Sequence, residues 1–85
     1  MSMVTELITA VSEAERRIDD QIMKLQSFIS QVDSVSQRVD AAFSGSTVQY
    51  GKDMIDQLSA TKKQVSDTIG YLQGAKEKLI QVRMI

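Results

Sequence analysis

Apolar residues recur at every seventh position through the first half of the chain: Val4, Val11, Ile18, Leu25, Val32 and Val39. A companion row offset by four adds Ile8, Ile22, Ile29 and Phe43, interrupted by Glu15 and Ser36. A third row, offset by three, adds Leu7, Ala14, Phe28, Val35 and Ala42. Wound on a helix, the rows make one stripe, wider than the seam of a two-stranded coiled coil. The opposite face carries Glu13, Arg16, Asp20, Lys24, Gln31 and Arg38, and no proline interrupts the run. The pattern predicts a helix from about Met3 to about Ala42, a rod ~60 Å long at ~1.5 Å per residue.

The second half repeats the theme more sparsely. Its row is Leu58, Val65, Leu72 and Leu79, flanked by Met54, Ile55, Ile69, Ala75 and Val82, and thinned by Thr61, Lys62 and Thr68. It predicts a second helix from about Thr47 to about Arg83. Ser46 and Gln49 have the spacing of a capping box, which would satisfy amides of the first turn. Lys76, Lys78 and Arg83 lie toward the C-terminal end, where cations complement the helix dipole. Between the helices, the turn at 43–46 is short, and Gly45 can end the first helix in the left-handed conformation with little strain. Two long helices joined so briefly lie side by side and antiparallel. The expected fold is therefore all-α, a single helix-turn-helix hairpin over residues 1–85. One hairpin has one interhelical seam, too little to cover the broad stripe of its first helix. A second hairpin, identical or not, would complete a four-helix bundle. The expected partner interface is Val4, Val11, Ile18, Ile22, Leu25, Ile29, Val32 and Val39, with Leu58, Val65 and Leu72.

Composition agrees with a small fold that leans on a neighbour. At 85 residues the chain is one small domain, with no Cys and no His, so disulfides and the usual zinc sites are excluded and oligomerisation remains. A net charge of −1 with scattered Lys and Arg gives no reason to expect nucleic acid. Residues Met1 to Arg17 lack the basic start and unbroken apolar core of a Sec signal peptide, and no stretch approaches the ~20 apolar residues of a membrane span.

Chemistry is hard to place on this chain. It has no nucleophile–base pair of the Cys–His kind and no glycine-rich phosphate loop. Asp19 and Asp20 are neighbours in sequence but point about 100° apart on a helix, so they form no working dyad. The expectation is a non-enzyme with no cofactor, no metal and no small-molecule substrate. The 5 Met residues are best explained as gap fillers. Gly70 and Gly74, one turn apart, make either a notch for close approach of a partner backbone or a weakened helix that frays. Gly51 either lets Phe43 or Tyr50 pack closely across the turn or is a plain tolerated glycine. Phe43 and Tyr50 themselves read as a core-closing aromatic clamp or as ring surface offered at the hairpin tip.

Phe43-Ser44-Gly45, with Thr47 and Tyr50 following, resembles the W-x-G turn of the WXG family, the small helical hairpins exported by type VII secretion systems. Chain length, two unbroken helices and a midpoint turn extend the resemblance over nearly the whole chain. It departs in two places. Phe43 stands where the family has Trp, as in a divergent branch such as the small partners of LXG-type toxins. The family's Y-x-x-x-D/E tail is not met, since Tyr71 is followed four residues on by Ala75, and Glu77 is out of register. The resemblance implies a turn motif of Phe43, Gly45 and Tyr50 forming half of a composite export signal. The tail half would come from a sister hairpin or from the helical N-terminal region of an effector. It implies a type VII secretion ATPase as a further partner, and a protein folded in the cytoplasm and then secreted without a signal peptide; a homodimer is the other assembly compatible with the stripe. Two readings of another kind remain. One is a hairpin subunit that polymerises like a secretion needle, although such turns resemble P-S-x-P and this chain has no Pro. The other is a cytoplasmic adaptor or chaperone hairpin.

Overall fold

The computed structural model describes residues 3–43 and 49–84, with 49 and 50 as backbone only. α1 spans Met3–Ala42 and α2 spans Gln49–Arg83. The first helix has the bounds its periodicity predicts. The capping pair Ser46 and Gln49, the start at Thr47, and Gly45 lie outside the described residues, or, for Gln49, are described as backbone alone. No proline interrupts either helix, and Glu6 and Arg83 lie at the dipole ends they favour, while Gly51, Gly70 and Gly74 are the residues of α2 least suited to a helix. Thr9, Thr61 and Thr68 each donate a hydroxyl hydrogen bond to the carbonyl four residues back, at 3.0 Å, so their polar atoms are satisfied inside their own helix.

The two helices pack against each other along their length as a hairpin. On α1 the residues drawn toward α2 alternate in steps of four and three: Val11, Glu15, Ile18, Ile22, Leu25, Ile29, Val32, Ser36, Val39 and Phe43. On α2 they are Gly51, Ile55, Leu58, Val65, Ile69, Leu72, Lys76 and Leu79. This is the two-row seam of an antiparallel coiled coil. Val11, Ile22, Val32 and Ile69 are its buried core, and no described side chain is fully enclosed.

The result is a thin rod of 67 × 14 × 13 Å with a radius of gyration of 19.4 Å, against ~12 Å for a compact chain of this length. It exposes 6622 Å², where a compact monomer of its mass would expose about 5,000 Å².

The seam closes at the turn end through Phe43 and Gly51. The Phe43 amide still donates to the Val39 carbonyl at 3.0 Å, holding the residue to the last turn of α1. Its ring then lies directly over Gly51: a Cβ on that glycine would fall 2.6 Å from Phe43 Cγ and 2.8 Å from Phe43 Cβ. Of the two readings of Gly51, close packing under an aromatic is the one observed. The obstructing atoms are the root of the Phe43 side chain, so relief requires the whole ring to move. Gly51→Ala should therefore lower the melting temperature by several degrees, the overpacking cost of roughly 1–3 kcal/mol exceeding the helix-propensity gain of about 1 kcal/mol. Thermal unfolding followed by circular dichroism checks this, and an unchanged or raised midpoint would show that the ring yields freely.

Candidate functional site

The two flanks of the seam differ in chemistry. Beside the row of Glu15, Ile22, Ile29 and Ser36, α1 carries Ser12, Asp19, Gln26, Asp33 and Asp40. Beside the row of Ile55, Lys62, Ile69, Lys76 and Arg83, α2 carries Lys52, Ser59, Ser66, Gln73 and Ile80. Antiparallel packing brings these two flanks to the same side of the hairpin. The ion pairs that cross between the helices confirm the placement. Lys76 Nζ meets Asp19 at 2.7 Å, Lys62 Nζ meets Asp33 at 2.8 Å, and Arg83 Nε lies 3.5 Å from Glu15. The two aspartates and the two lysines have the same separation in sequence, so the register repeats along the rod. Such half-exposed pairs contribute only about 0–1 kcal/mol each, but they suit one register. Glu15 is the tight member: its side chain is 12% exposed, and its buried Oε1 takes the charge of Arg83 without a hydrogen bond.

The other side is formed by the row of Leu7, Ala14, Gln21, Phe28, Val35 and Ala42 on α1, and of Met54, Thr61, Thr68, Ala75 and Val82 on α2. No residue in either row is charged. Leu7, Phe28, Val35, Met54 and Val82 are between 36% and 53% exposed, so this is apolar surface in water and not core. At the open end of the hairpin the two rows converge on a groove of about 270 Å³, lined by Val4, Leu7, Ile8, Val11 and Val82, with Arg83 at its edge. That Leu7 and Val82 share one groove shows the rows lie on the same side. The hydroxyls of Thr61 and Thr68 are bonded within α2, so Gln21 supplies the one polar group there that looks to solvent for partners.

Bordering this uncharged side, the next row outward holds Ala10, Arg17, Lys24, Gln31 and Arg38 on α1, and Gln57, Gln64, Tyr71 and Lys78 on α2. Every charge in this rim is positive, although the chain has 11 acidic residues against 10 basic ones. Arg17 is tied to Glu13 at 3.1 Å. Lys24, Arg38 and Lys78 meet no carboxylate among the described residues.

The structure thus redistributes the interface expected from sequence. Val11, Ile22 and Val32 are buried between the hairpin's own helices, and Ile18, Leu25, Ile29, Val39, Leu58, Val65 and Leu72 are half-buried there. Val4 is 63% exposed at the open end. The apolar surface left over belongs to the third row of α1 and to the flanking positions of α2. From sequence, Lys24, Gln31 and Arg38 read only as part of the polar face opposite the stripe, not as the border of an uncharged side. Reading the rows on either side of each seam, instead of the seam rows alone, would have found it. Of the turn motif, Phe43 is placed against Gly51, whereas Gly45 and the Tyr50 side chain lie outside the described residues. Among the described residues no group of acidic side chains is arranged to hold a metal, and no helix is long and apolar enough to cross a membrane. Compared with known proteins, the chain matches no family model, no curated protein and no solved structure.

Gly70 and Gly74 lie on the outer face of α2, with nothing within 4 Å of the position a Cβ would take. Neither the seam nor the uncharged side uses them. Replacing each by Ala should stabilise the isolated hairpin by up to about 1 kcal/mol, seen as a higher melting temperature. A loss of stability would mean a close contact at the notch that the single chain does not reveal.

Proposed function

We propose that this protein is a non-enzymatic subunit of a helical bundle, exported by a type VII secretion system or accompanying a co-exported effector. The observation that carries the reading is the uncharged side of the hairpin. A chain this thin covers one seam and leaves a second apolar surface along its length, and a second hairpin is the shape that would cover it. The partner is then a sister hairpin or the helical N-terminal region of an effector, and the Phe43–Gly45 turn is half of a signal that such a partner completes. The secretion assignment rests on the resemblance of the turn and of the hairpin architecture to the WXG family. Support for a non-enzyme is the absence of His and Cys from the sequence.

Co-expression with the products of adjacent genes, followed by sizing of what co-purifies, tests the bundle. A tight homodimer that ignores those products would remove the heteromeric reading. Phe43→Ala tests the signal. The ring is half-buried over Gly51, so its loss costs some stability, roughly 1–3 kcal/mol, while the helices persist. Export into culture supernatant, measured beside a lysis marker, should fall more steeply than helicity measured by circular dichroism. Parallel losses would mean that Phe43 serves the fold alone.

A further inference from the structure

We propose that the occupant of the uncharged side is a different chain, a helical hairpin or helix pair whose apolar strip is bordered by aspartate and glutamate. The rim cations Lys24, Arg38 and Lys78, which meet no carboxylate among the described residues, select it over a second copy of this chain. The inference rests on the reading of the protein as one half of a heteromeric bundle and adds the chemistry of the other half.

The area is sufficient for a stable pair. A face of 67 × 14 Å presents on the order of 900 Å² in projection, close to the ~800 Å² per partner of a standard interface. Covering it requires little desolvation of polar groups, because the strip holds no charge and its threonine hydroxyls are already bonded. Apolar surface of this kind does not discriminate between partners, and the rim supplies the discrimination. In a face-to-face pair the rim rows of the two molecules run beside one another. A second copy would bring the α1 cations Lys24 and Arg38, and Lys78 of α2, against a rim whose bordering carboxylate, Glu13, is already taken by Arg17. Of this chain's acids, Glu15, Asp19 and Asp33 lie on the opposite side and are paired across the seam, and Glu13 beside the rim is paired with Arg17. An acidic rim would meet Lys24, Arg38 and Lys78, which have no carboxylate partner among the described residues.

The test uses this chain as its own probe. A variant with Lys24→Glu, Arg38→Glu and Lys78→Glu keeps good helix formers and the same apolar strip but reverses the rim. In sedimentation equilibrium at low salt, a mixture of the natural chain and the variant should form a mixed dimer at a concentration about tenfold lower than either forms alone. The gap should close in about 1 M salt, where the screening length falls to ~3 Å. Adding Phe28→Asp to the variant should abolish the mixed dimer while circular dichroism shows the helices intact. The proposal is overturned if the natural chain self-associates as tightly as the mixture, if neither associates, or if Phe28→Asp leaves the mixed dimer unchanged. None of these measurements involves secretion, so failure of the export reading and failure of the rim reading are separately visible.

Discussion

Everything in this molecule depends on a seam two rows wide. Alternating steps of four and three bring one strip of α1 against one strip of α2, and among the described residues only Val11, Ile22, Val32 and Ile69 bury a hydrophobic side chain. A seam of that width orders a chain of this length but cannot wrap it. The outer rows therefore stay in water whatever their chemistry. The rod shape, the excess surface and the exposed apolar side are consequences of this single geometric fact, and the closure of Phe43 on Gly51 is where the seam is fixed at one end.

The seam also sorts charge. Each acid or base next to it must fall on one flank or the other, and in this sequence the flanks are not equivalent. One collects Asp19, Asp33, Lys62 and Lys76 into crossing pairs, with Glu15 and Arg83 at the open end. The other collects none. Net charge near zero conceals this arrangement completely. The polar flank needs only solvent and its own partners, whereas the uncharged flank is the one that gains from a second molecule.

Much of the fold was legible because the signals were redundant. Forty residues of α1 with a seven-residue repeat and no proline admit one secondary structure, and a short turn between two such helices admits one topology. What periodicity could not say is which of three apolar rows enters the seam. The rows beginning at Val4 and Ile8 do, from Val11 and Glu15 onward, and the Leu7 row does not. That choice is made jointly with α2, whose own rows carry Lys62, Lys76 and Arg83, and those cations seek the aspartate flank. For Gly51 the sequence offered close packing under a ring and a plain tolerated glycine alike, since the choice depends on where a ring from another helix comes to rest.

Phe43 meets a requirement of the fold at the end of α1. Its ring is needed over Gly51 to close the hairpin, and that need alone would keep an aromatic at the end of α1. An aromatic at the end of α1 is thus explained by packing within the hairpin. The uncharged flank is different. Nothing in the hairpin requires Leu7, Phe28, Val35 and Met54 to be apolar, since polar residues there would leave the seam intact and cost less in water. Surface that the fold does not explain is the better evidence for a partner, and here it lies along the side of the rod and not at its tip.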